Sequence, residues 1–137
     1  MSFQLYLQAW REGEAAGIPI ALIRSAFAAC FTEIEEDFWQ LRFGSETTDL
    51  FLQAQPSDPS LIHNLSFDRP SRDLRLWEGI WSLLGVPGTV FYFPDCSAPL
   101  VRDSRAEAAI PPSLLKALGE PVIVSTALDI FQAIERT

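Results

Sequence analysis

Several stretches of the chain place an apolar residue at every second position, the spacing of a β-strand with one buried face. FQLYLQAW carries Phe3, Leu5 and Leu7 on one side and Tyr6 on the other. In FWQLRF the set is Trp39, Leu41 and Phe43, and in DLFLQAQ it is Leu50, Leu52 and Ala54, with Gly44 and Ser45 supplying the turn between them. After the loop PSDPS, Leu61, His63, Leu65 and Phe67 alternate in the same way. Consecutive strands joined by short connections imply an antiparallel meander. VPGTVFYF differs, being apolar at almost every position from Val90 to Phe93, which predicts a strand buried on both faces near the centre of the sheet.

Between the strands the period changes to that of a helix. Pro19 suits a first turn, and Ile20, Ile23, Ala26, Phe27 and Cys30 recur at helical spacing, predicting a helix over 19–30. Leu74, Trp77, Ile80, Trp81 and Leu84 predict a second over 72–84, with Ser71 as N-cap and Gly85 as the stop. Thr126 with Asp129 opens a third over 126–135. REGEAAG and PDCSAPLVRDSRAEAA read as polar connections, PPSLLKALG as a short helix and PVIVS as a short final strand. The expectation is a single α+β domain over 1–137: a mainly antiparallel sheet of about five or six strands with three helices packed on it.

A chain of 137 residues builds one core, and 48% hydrophobic residues supply it. Its apolar runs fall far short of the roughly 20 residues that span a bilayer, and the N-terminal segment lacks a basic leader. A cytoplasmic protein is expected. The net charge of -8 disfavours nucleic acid and anionic membranes and favours a basic protein as partner.

The residues that carry chemistry are few. No glycine-rich phosphate loop is present, and one His with two distant Cys cannot complete a zinc set, so neither cofactor nor metal is expected. Cys30 lies on an apolar stripe, where a thiol packs as a small core residue. Pro94 ends the strand before it and releases Asp95, Cys96 and Ser97 at a sheet edge. His63 is the only histidine available as a base, so Cys96, Asp95 and His63 form the set that a small hydrolase or thiol-dependent enzyme would use. Glu33, Glu35, Glu36 and Asp37 form the densest acidic run, without the turn glycine and alternating oxygen ligands of a calcium loop. They fit the rim of a docking patch for a basic protein. The anchor would be Phe38 or Trp39, whichever faces outward.

The order MSF, EIEEDFWQL, LIHNLSFDRP, RLWEGIWSLL, VFYFPDCSAPLV and PPSLLKALGEPVIVS resembles a group of small bacterial proteins of unknown function over most of the chain. That resemblance implies no activity for any residue. In style, as a small acidic α+β chain with many aromatics, the sequence also resembles immunity proteins that neutralise bacterial toxins. The expected function is non-enzymatic protein binding.

Overall fold

The computed structural model describes residues 4–94, 96 and 98–135. Strand β1 (Gln4–Arg11) reverses at Glu12 and Gly13, whose φ values of 50° and 79° are those a tight hairpin turn requires, into β2 (Glu14–Ala15). β3 (Ile18–Pro19) and helix α1 (Ile20–Ala26) follow. The predicted meander is β4 (Phe31–Glu35), β5 (Phe38–Phe43), β6 (Glu46–Gln55) and β7 (Asp58–Asp68), after which come α2 (Leu74–Leu83) and β8 (Thr89–Tyr92). The chain closes with β9 (Leu100–Val101), α3 (Ala106–Ala109), α4 (Pro112–Leu118), β10 (Val122–Ile123) and α5 (Ala127–Glu135).

The α+β class stands, but the counts are corrected: among the described residues there are 10 strands in one mixed sheet and five helices. The sheet runs β10-β9-β8-β1-β7-β6-β5-β4, with β2 on β1 and β3 on β7, and only β9 and β10 pair in parallel. The expected final strand in PVIVS is present as β10, while the unforeseen strands β2, β3 and β9 are two residues long. Segments that short exist because a longer neighbour presents free backbone groups, and they are too brief to show a period. The stretches expected as polar connections therefore contain β2, β9 and α3. The first helix ends early, at Ala26, because Cys30 N and Phe31 N both turn back to Phe27 O and lead the chain into β4.

One face of the sheet carries Leu5, Leu7, Trp39, Leu41, Leu50, Leu65, Phe67 and Phe91, each with 0% exposure, and α1, α2 and α5 cover it. Val90 and Val101 point to the other face, where Ala106 and Ile110 from the α3 segment close a smaller cluster. The N-cap of α2 is Asp73, not Ser71: its carboxylate accepts from Arg75 N at 2.9 Å. Ser71 is buried instead, donating to Glu46 Oε1 at 2.8 Å and accepting from Asp73 N at 3.0 Å, so it ties the approach to α2 onto the start of β6.

On α2 the buried residues are Leu76, Trp77, Gly79, Ile80 and Leu83. Trp81 is only half-buried; the Arg102 guanidinium lies 3.5 Å above its ring and donates to the Trp81 carbonyl at 3.2 Å. Gly79 is required by packing, since a Cβ there would enter the ring of Phe27. Because Trp77 is 2% exposed, Trp77→Ala is expected to cost about 3 to 5 kcal/mol, with Trp81→Ala costing clearly less. Urea midpoints of the two variants check this, and equal losses would contradict the burial order.

The cap gives a pH signature. Hydrogen bonds from Arg75 hold the Asp73 carboxyl at about 2, below its ordinary 3.8. A depressed acid stabilises the fold above the unfolded value and loses that contribution as the pH falls through the folded one. Thermal melts between pH 4 and pH 2 should fall less steeply for Asp73→Ala than for the parent protein.

Candidate functional site

Both sides of the sheet are built by the same alternation, and the face away from α1, α2 and α5 collects the remaining side chains in rows across the strands. Register pairs Tyr92 with Tyr6, Tyr6 with Ser66, Ser66 with Phe51 and Phe51 with Phe38, which places these residues in one line across five strands. Glu35 on β4 continues the line opposite Phe38. On one flank lie Gln8, Asn64 and Gln53, and on the other Asp68, Asp49 and Gln40.

The aromatic line consists of two pairs. Phe38 and Phe51 stack at 5.0 Å with planes 17° apart, and Phe51 is 41% exposed. Tyr6 and Tyr92 lie 5.3 Å apart, with Tyr6 donating its hydroxyl to Gln4 Oε1 at 2.7 Å. Burial pushes the Tyr92 phenol up and the adjacent Tyr6 adds to the rise, so Tyr92 is neutral across the physiological range. In the amide flank, Gln8 Oε1 and Asn64 Oδ1 are buried and have no hydrogen-bond partner among the described residues. Asp49 is held by Arg69, whose Nη2 donates at 2.6 Å.

The acidic run forms the hairpin between β4 and β5, with Glu36 and Asp37 as its turn. Glu33 faces the other way and meets Arg24 at 3.4 Å. Glu35, Glu36 and Asp37 are exposed. Trp39 is wholly buried, under Arg24 at 5.1 Å and stacked on Phe31 at 4.8 Å, so the outward aromatic of the sequence-derived pair is Phe38. Phe51, its stacking partner, was not singled out in the sequence, although its place between Leu50 and Leu52 in an alternating strand already sets it on the opposite face. Ile34 is the extra residue of a bulge between Glu33 and Glu35, and with the charges beside it this blunts the edge of the sheet.

His63 is not on the Leu65 face that the alternation implied. Gln53 pairs with Asn64 and Ala54 with Ile62, which leaves His63 as an additional residue on β7. The bulge turns its ring edge-on to Trp10 at 4.8 Å, with Nδ1 3.1 Å from Ala9 O and 3.2 Å from Ala16 O. That environment orients the ring structurally. A cleft of about 540 Å³ opens nearby between Trp10, Arg11, Gly88 and Arg105.

Cys96 lies at the other end of β1. Tyr92 pairs with Tyr6, so Phe93 reaches the level of Leu5 and Cys96 continues beyond it, whereas His63 contacts Ala9. Four residues of extended strand separate those levels by about 13 Å. The structure does not bring His63 and Cys96 together, and Asp95 and Ser97 lie outside the described residues. Both cysteines are free thiols, and among the described residues no group of His, Cys, Asp and Glu is arranged to hold a metal. Nor is any described helix long and apolar enough to cross a membrane. Comparison with family models, curated proteins and solved structures gives no match for this chain.

Cys30 follows α1 half-buried, its Sγ donating to Phe27 O at 3.5 Å. Burial pushes this thiol up, against a smaller opposing pull from Arg75. In a Cys96→Ser background, labelling of Cys30 by a thiol reagent should therefore keep rising with pH past 9.0, the ordinary value for such a group, before it levels off. A stopped-flow pH profile with an inflection below that value would contradict the assignment.

Proposed function

We propose that this protein is a non-enzymatic binding module for a basic protein, of the kind exemplified by immunity-type inhibitors of bacterial toxins. The observation that carries this reading is the exposed stack of Phe51 on Phe38 with Glu35 directly opposite Phe38 and Glu36 and Asp37 beside it. An aromatic face next to carboxylates is a receptor for lysine and arginine side chains: the ring quadrupole and the acid attract the same cation. Desolvated aromatics at the centre of such a patch supply affinity, while surrounding charges accelerate encounter. The net charge of -8 extends that attraction over the whole molecule. Free thiols suit the reducing cytoplasm in which this reading sets the protein. The separation of His63 from Cys96 removes support from the thiol-enzyme alternative.

The test is capture of basic proteins from the producing cell and its competitors at low salt, followed by binding kinetics with variants. Glu35→Gln combined with Glu36→Gln should slow association several-fold and flatten its salt dependence. Phe51→Ala should instead speed dissociation, by about tenfold or more if Phe51 is an anchor. Association indifferent to both acid changes and to salt would remove the acidic hairpin from the interface.

A further inference from the structure

Resting on the binding reading, the geometry of the open face points to the form of the ligand: we infer that it is an extended basic segment lying across the strands, with two arginine or lysine side chains four residues apart. The aromatic line has a gap at its centre. Tyr92 and Tyr6 occupy adjacent strands β8 and β1, Phe51 and Phe38 occupy β6 and β5, and Ser66 on β7 separates them. The midpoints of the two pairs are three strand spacings apart, about 14 Å. In an extended chain, residues i and i+4 point the same way and lie about 13 Å apart. One cation then rests on Phe38 and Phe51, the second on Tyr6 and Tyr92, and the side chain between them passes over the small Ser66.

The flanks fit the same occupant. Asp68 borders the line on one side, next to the engaged Asp49, and Glu35 closes its β4 end, so each aromatic pair has a carboxylate near it. Arg42, on the same face as Phe38 and Gln40, and Arg69 are nearby cations of the chain itself; Arg69 is already neutralised by Asp49. On the other side, Gln8 lies opposite Val90, which Ala106 and Ile110 of the α3 segment cover, so that flank bounds the line as a wall. The occupant is thus a segment carrying two cations and not an isolated cation, which would leave one of the two aromatic pairs unanswered.

Two capped synthetic peptides test this, one with two arginines separated by three threonines and one with them separated by a single threonine; a peptide with glutamates for arginines is the charge control. Fluorescence anisotropy at low salt should show the wider spacing binding about two- to fivefold more tightly, the worth of one additional cation–π contact. Phe51→Ala and Tyr92→Ala should each abolish that preference, while Tyr92→Phe, which keeps the ring, should retain it. Phe51 is exposed, so its variant reads out even if Tyr92→Ala fails to fold. Equal affinity for the two arginine peptides, or a preference that survives Phe51→Ala, overturns the spacing inference. If in that case both arginine peptides still bind more tightly than the glutamate control, and more weakly after Glu35→Gln, the basic-partner reading stands without it. If neither arginine peptide exceeds the glutamate control, both readings fall.

Discussion

Strand β1 joins two sheets that the chain would otherwise build separately. β4 to β7 form a meander from local hairpins, while β8, β9 and β10 assemble from the other end of the sequence, and β1 pairs antiparallel with β7 on one side and β8 on the other. Its inward residues Leu5, Leu7 and Ala9 are buried to 1% or less, and its outward residues Tyr6 and Gln8 contribute to the aromatic and amide rows. The core and the open face thus depend on one register. A slip of one residue would exchange the two sets of side chains across the sheet. Gly88 marks how closely the strand is held: it has φ 79°, an added Cβ would strike the carbonyl of Trp10, and the Trp10 N–H donates to Gly88 O at 2.9 Å.

What the sequence discloses is what has a period. Trp39, Leu41 and Phe43 share a buried face as their alternation requires, and Trp77 and Ile80 lie on the buried stripe of α2. Features created by a partner strand leave no such mark. β9 at Leu100–Val101 exists because Phe91 on β8 and Val122 on β10 flank it, and the sequence PLVRD says nothing of either neighbour. The bulge at His63 is hidden for a different reason. Leu61, His63, Leu65 and Phe67 alternate in sequence, yet the extra residue inverts the parity, so Ile62 and not Leu61 joins the core. Whether Ser71 or Asp73 caps α2 is likewise a matter of where the chain leaves β7, because both residue types suit the position.

The candidate site follows the same division. Alternation settles which of Phe38 and Trp39 looks outward once the strand has a core, and the acidic run was visible as charge. The line from Tyr92 to Phe38 was not, since its members come from five strands whose order only the folded sheet establishes. A surface made this way is a property of register, with no contiguous motif behind it. Whether His63 pairs with Cys96 was hidden on the same ground: both lie beside β1, but at its two ends.

The position of β1 also has a consequence for how the protein is made. The strand emerges from the ribosome well before either neighbour: β7 ends at Asp68 and β8 at Tyr92, 81 residues beyond Arg11. At about 5–20 residues per second, the interval before its second neighbour has been translated is roughly 4 to 16 s. Until β7 has been made, Leu5 and Leu7 have no sheet to enter; once β4 to β7 close through short turns, β1 can pair with β7 and keeps one open edge until β8 follows. Translation speed through the segment following β7 therefore governs how long that edge stays open, and a nascent chain stalled before Thr89 would hold a meander with β1 lacking its β8 neighbour.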